Sequence, residues 1–340
     1  MSKPLVQRRV ATRYLALGAG LVALLAVLLA SLAIGSRPVP PEVVVQALLG
    51  HDVSAGDRRA VVELRVPRTV IGCAVGIALG VAGALIQAVT RNPLADPGIL
   101  GVTAGSSFFV AIGVVGFGLS SPDQYVWFAL AGALVATVAV ALVGGSRGGS
   151  VDPVRLTLAG VALTAVLAGI VSGLRIADPR TFNALLAWET GSLVDRGWQV
   201  AGPVLPFMAV GLGTALLLGG SLNALALGDD VATTLGSTVW ATRAAAVLAV
   251  TLLAGGATAI VGPVSFIGLM VPHVARWIGG PDQRWIIGLT VLLAPVLLLT
   301  ADVLARVVLW PGEMPVGIVT AFVGAPVLVA LVRRRKAFAL

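Results

Sequence analysis

Few residues of this sequence could carry out chemistry, and none stands in a pattern that would. There are two histidines, His51 and His273, and one cysteine, Cys73. Two histidines are too few for a His-based metal site, and a single cysteine allows no intramolecular disulfide. The only lysines are Lys3 and Lys336, and no G-x-x-x-x-G-K-[ST] run occurs. A phosphate-cradling loop needs that lysine beside its backbone N–H groups, so P-loop hydrolysis of ATP is excluded for this chain. Gly144-Gly145-Ser146-Arg147-Gly148 matches G-x-S-x-G by letter. A nucleophile elbow needs a strand-to-helix turn. This run lies in a Gly-rich stretch between two apolar segments, so the match is read as coincidence.

The apolar segments themselves dominate the chain. Of 340 residues, 58% are hydrophobic, 11% are charged and 42 are glycine. A soluble protein of this size could not hide so much apolar surface, and glycine is common in membrane helices. The formal charge of +8 would suggest nucleic acid on a soluble protein. Here the basic residues sit between apolar runs, where they set topology, so no nucleic-acid partner is expected. With about 20 apolar residues needed per crossing, ten spans are predicted: 14–34, 69–89, 99–119, 125–143, 156–174, 200–218, 244–260, 264–278, 285–304 and 316–332. The eighth is short and interrupted by Pro272. The first is too long for a signal-peptide core. Residues 182–188 are too short to cross and are read as a small surface helix within an outside segment, 179–197.

Placing the N-terminus inside puts 14 basic residues on the inside and nine outside, a bias that favours both termini in the cytoplasm. Ten spans split into two sets of five, and an odd number per half inverts the second half. Gly83-Ala84-Leu85-Ile86 and Gly256-Ala257-Thr258-Ala259-Ile260 are a faint internal echo of this. No Asp or Glu falls in the middle of a span, which counts against an ion-coupled carrier. Gly72, Gly76 and Gly80 form a small-xxx-small ladder on span two. The ladder suits close packing within the chain, or alternatively a dimer seam.

Two polar regions remain. Inside, residues 221–236 read as two short helices meeting at a glycine. Ser221 would cap the first and Gly228 end it; Asp229 would cap the second, with Asp230 in its first turn and Gly236 at its end. They would present Leu222, Leu225, Val231 and Leu235. The segment has no basic residue to hold anionic lipid, so it is read as a docking element for another protein. Outside, Arg65, Arg68 and Arg306 lie near the ends of spans two and nine, against the topology bias. They could snorkel to headgroups, and Arg306 could pair with Asp302 four residues before it.

These residues resemble a known family. Arg65-Val66-Pro67-Arg68-Thr69 and the run Gln87-Ala88-Val89-Thr90-Arg91-Asn92-Pro93-Leu94-Ala95-Asp96-Pro97-Gly98-Ile99-Leu100-Gly101 are similar to signatures of the iron-siderophore and cobalamin ABC importer permeases. So are Leu225-Ala226-Leu227-Gly228 with Leu235-Gly236, the stretch from Gly262 to His273, and Gly312-Glu313-Met314-Pro315-Val316-Gly317. Arg155–Leu163 and the tail Gly324–Leu328 with Arg333-Arg334 most resemble the ferric-enterobactin type, which pairs with a second, related permease. Asp152-Pro153-Val154 departs from relatives that carry small hydroxyl residues there, a region proposed to gate the cytoplasmic end.

The resemblance implies an all-α type II importer permease in a bacterial cytoplasmic membrane, forming one transmembrane domain over 1–340. It implies a ferric siderophore as cargo, with cobalamin or haem as alternatives within the same fold. Its partners would be a second permease, more readily a relative than a copy, a cytoplasmic ATPase dimer holding ATP and Mg, and an outside binding protein. This chain itself would carry no cofactor, no metal and no enzyme activity, and His273 would be structural. Arg65, Arg68 and Arg306 would receive glutamates of the binding protein, since the guanidinium fork holds a carboxylate through two hydrogen bonds. Leu222, Leu225, Leu227, Gly228, Asp229, Asp230, Val231, Leu235 and Gly236 would form the coupling segment. The purified chain is therefore expected to hydrolyse no ATP alone; hydrolysis that tracks this chain through a contaminant control would overturn that expectation.

Overall fold

The computed structural model describes residues 3–144 and 153–333, and the elements found there are helical. The principal helices are α1 Lys3–Ala33, α2 Pro41–Leu48, α3 Ala55–Thr90, α4 Val102–Phe117, α5 Pro122–Gly144, α6 Pro153–Ala177 and α7 Pro179–Glu189. They continue with α8 Leu205–Ala226, α9 Asp229–Thr234, α10 Val239–Val261, α11 Ile267–Gly279, α12 Gln283–Val308 and α13 Val316–Arg333. Every predicted span falls on one of these helices. Seven are long and apolar enough to cross a membrane; α4 and α13 are shorter apolar helices, and α11 has only 13 residues. Residues 145–148 of the G-x-S-x-G match and Asp152 lie outside the described residues.

α3 is the centre of the bundle, enclosed chiefly by α12, α11, α10 and α8. The glycine ladder explains how. A Cβ at Gly76 would stand 2.7 Å from the backbone of Pro295 on α12 and one at Gly80 would stand 2.5 Å from the Ala294 methyl; beyond the ladder, one at Gly83 would collide with the Gly268 carbonyl of α11. The ladder therefore packs within the chain, where small residues let helix backbones approach.

The helix boundaries differ from the predicted ones where proline intervenes. Span two was expected to open at Thr69, yet α3 begins at Ala55. Pro67 has no N–H to donate, and just before it the helix widens into a π-turn over Arg59–Arg65, with Val66 N donating to Val61 O. This N-terminal extension packs Ala60 and Val61 against Val39, Val44 and Ala47 of the α2 region, a small second core. The predicted surface helix at 182–188 is α7, capped by Asp178, and it buries Leu185 and Trp188.

Pro272 lies inside α11 and leaves the Gly268 carbonyl, four residues earlier, without a helical donor. Gln87 of α3 supplies one: its Nε2 donates to the carbonyls of Gly268 and Leu269, both at 3.2 Å. Its Oε1 in turn accepts from Arg276 at 3.2 Å. His273 is buried beside this network, edge-on to Trp277 at 4.8 Å. Gln87→Leu is expected to leave the Gly268 carbonyl unpaired and to cost about 1–3 kcal/mol. Thermal unfolding in detergent would register this as a lowered midpoint; an unchanged midpoint would contradict the role given to Gln87.

Candidate functional sites at the two ends of the bundle

At the end of the bundle expected to face outside, three arginines and two acids interlock. Arg306 is 1% exposed. It donates to Asp302, to the carbonyls of Ser31 at 2.7 Å and Ile34 at 2.8 Å, and to Ser31 Oγ. Arg65 is 6% exposed and donates to the carbonyls of Leu32 at 2.9 Å and Ala33 at 2.8 Å, and to that of Arg37. The last carbonyls of α1 have no helical partners; these two guanidinium groups satisfy them and place positive charge at the negative end of the helix. Arg68 holds Asp302 through Nε and one terminal nitrogen, and Glu313 through the other at 2.6 Å.

The structure engages the three arginines expected to meet a binding protein to different degrees. Arg306 does pair with Asp302, the local alternative, and its burial leaves it no face for a partner's glutamate. Arg65 likewise spends its donors on the end of α1. Arg68 is the most available, because Glu313, its second acceptor, sits in the loop between α12 and α13. A cleft of about 180 Å³ opens here, lined by Arg37, Arg65, Arg68, Arg196 and Arg306 against Glu63, Asp195 and Glu313. Burial alone would raise the Glu313 carboxyl. The hydrogen bond and charge of Arg68, with help from Ser36 and Arg306, outweigh it and hold the group below its ordinary value of 4.5. Its pairing therefore stabilises fully above that value and is lost as pH falls through the lowered one.

At the opposite end, expected to face inside, the predicted pair of short helices is instead one continuation and one helix. Ser221 to Ala226 is the last stretch of α8, with Leu222 and Leu225 buried in the core. Long apolar helices do not need a cap where hydrogen bonding runs on, so Ser221 starts nothing. Gly228 breaks the chain at φ +112° and ψ 155°, a region open essentially to glycine alone. Gly228, and not Asp229, stands at the N-cap of α9. Leu227, Val231 and Leu235 are the exposed apolar residues of the segment, at 64%, 43% and 63%, while Gly236 turns at φ +81°. Leu222 and Leu225 thus anchor the element and do not present a surface.

Asp229 has another task. Its carboxylate accepts from Arg91 at 2.5 Å and from Arg243 at 3.0 Å. Arg91 ends α3 in left-handed geometry, at φ 50°, and also donates to the Leu225 carbonyl at 2.7 Å. One carboxylate thus ties α9 to the ends of α3 and α10. Asp230, beside it, accepts at its backbone carbonyl from Thr234. Asn223 fastens α8 to the turn between α11 and α12, bonding Asp282 and the backbone of Gln283 at 2.7 Å each. Sequence reasoning missed Arg91 and Asn223 as partners, although both lie in or beside the quoted motifs.

A helical membrane bundle built this way has known counterparts. Residues 23–334 match the FecCD transport family. This chain belongs to that family. It is 50% identical over 324 residues to the ferric enterobactin transport system permease protein FepD of Escherichia coli strain K12, covering 95% of this chain and 96% of FepD. It is also 35% and 39% identical to the Fe(3+) dicitrate transport system permease proteins FecC and FecD of the same organism, over 88% and 91% of the chain and 90% and 95% of each relative. A solved structure, an inward-facing conformation of a metal-chelate type ABC transporter, superposes with a TM-score of 0.78 at 27% identity, covering 94% of this chain and 99% of that one. The chain is thus a multi-pass membrane protein of a permease family.

The outside network generates a direct test. Asp302→Asn would leave Arg68 and Arg306 buried against each other without their shared carboxylate, at a cost of about 3–5 kcal/mol. The folded yield and melting temperature in detergent should both fall sharply; a variant as stable as the parent would show that the network is not structural.

Proposed function

We propose that this protein is the transmembrane permease subunit of an ABC importer that carries a ferric siderophore across the bacterial cytoplasmic membrane. Its likeness to a ferric enterobactin permease over nearly the whole chain carries the reading. The chain would cross ten times, with both termini in the cytoplasm and two inverted halves of five helices. The short α4 and α11 each follow a broken, proline-containing loop, α4 packing on α5 and α6 and α11 on α3 and α12, as expected where discontinuous segments line a pathway.

The exposed triad Leu227, Val231 and Leu235 on α9 and its flanks is the proposed seat for a separate ATPase dimer, which would bind ATP and Mg. A second permease, as in relatives that occur in pairs, would cover α6, whose apolar window is only 17% buried. The binding protein would dock at the outer cleft. There an incoming glutamate could exchange with Glu313 on Arg68, while Arg65 and Arg306 hold the floor. Exposed ion pairs of this kind are worth only about 0–1 kcal/mol each, so they would orient the partner and speed its encounter.

Gly228→Val tests the inside assignment. Valine is strained at φ +112° whatever the space around it, so the angle between α8 and α9 must change. The variant should reach the membrane at the parental level, yet the assembled transporter should hydrolyse ATP without matching uptake. Parental uptake at parental expression would count against α9 as the coupling element.

A further inference from the structure

The face of α6 beside α4 is furnished for something other than lipid. A cavity of about 470 Å³ opens there, and Thr103, Ser107, Thr164, Ser172, Arg175 and Glu189 are among its lining residues. A charged or hydroxyl-bearing strip on a membrane helix ordinarily faces a cavity or a pathway, because exposing it to hydrocarbon is costly. At the outer end of α6, Arg175 forms an ion pair with Glu189 at the end of α7, and each side chain is 29% exposed. The pair is therefore reachable from the cavity. The Nε of Arg175 is buried with no hydrogen-bond partner, so Glu189 does not satisfy the whole guanidinium.

We infer that Arg175 is the contact for an anionic, oxygen-rich iron chelate passing through this cavity, and that Glu189 holds the guanidinium until such a ligand displaces it. The inference rests on the transport reading above and narrows its substrate class. A guanidinium offers two parallel donors to oxygens set side by side, as on a carboxylate or on the rim of a catecholate chelate. Stripping an arginine of its partner in a half-buried site is costly unless another anion takes its place. An anionic chelate supplies that replacement, and a neutral one does not. The exchange leaves Glu189 able to turn to the outer water, so the charge that admits the cargo also resets after it has passed.

The test uses the complete transporter in proteoliposomes, with its second permease, ATPase and binding protein, and a ferric tricatecholate as the probe. Arg175→Gln should lower uptake about tenfold, the worth of one charge-assisted hydrogen bond. Arg175→Lys should retain part of it. Glu189→Gln, which frees the guanidinium, should lower the KM for the chelate or leave uptake at the parental level. ATP hydrolysis without chelate should be unchanged in all three, which controls for folding. A purely structural ion pair predicts that Arg175→Gln and Glu189→Gln fail together, and that outcome overturns the inference, as does parental uptake by Arg175→Gln. A parent that imports a neutral ferric trihydroxamate in preference overturns the charge assignment alone. A parent that imports no ferric chelate removes the transport reading, and this inference with it.

Discussion

A backbone carbonyl that loses its helical donor within a membrane has no water to turn to. Much of the long-range polar architecture of this chain answers that constraint. Arg65 and Arg306 close the end of α1; Arg91 closes the end of α8; Arg13 donates to the Gly279 carbonyl at the end of α11. Gln87 serves the Gly268 carbonyl that Pro272 frees in the first turn of that helix. In each case a long polar side chain from a distant helix reaches an orphaned carbonyl, so satisfying the backbone also fixes which helices are neighbours.

α3 gathers these ties because it combines two properties. Its glycines bring α11 and α12 within backbone contact, where dispersion forces are strongest. Its polar residues, Arg65, Arg68, Gln87 and Arg91, are spaced along its length and each reaches a different neighbour. Apolar packing alone would leave such a helix free to slide or rotate in lipid, since hydrocarbon tails are as apolar as the partner helix. The directional bonds remove that freedom and set the register.

The helices were legible in the sequence because a bilayer imposes a length and a composition on every crossing segment. The family was legible because its motifs are polar or helix-breaking residues set among apolar ones, and these stand out. What could not be read was the direction of each polar side chain. Arg306 and Asp302 are four apart and their pairing was open to inference, but nothing local says that Ser31 and Ile34, far away in the chain, need the same guanidinium. Leu222 and Leu225 share the composition of Leu227 and Leu235, and only the unbroken course of α8 turns the first two inward. The start of α3 was misplaced because the span was bounded by its apolar run, which Arg65 and Arg68 interrupt, and a π-turn that carries the helix on beyond them has no sequence mark of its own.

Asp229 sits between Arg91, which ends a helix from the first half of the chain, and Arg243, near the start of one from the second. Anything that displaces α9 therefore pulls on both halves through a single carboxylate. That carboxylate adds a directional tie between the halves at one end of the bundle, where α3 otherwise meets α8, α10, α11 and α12 mainly through apolar packing.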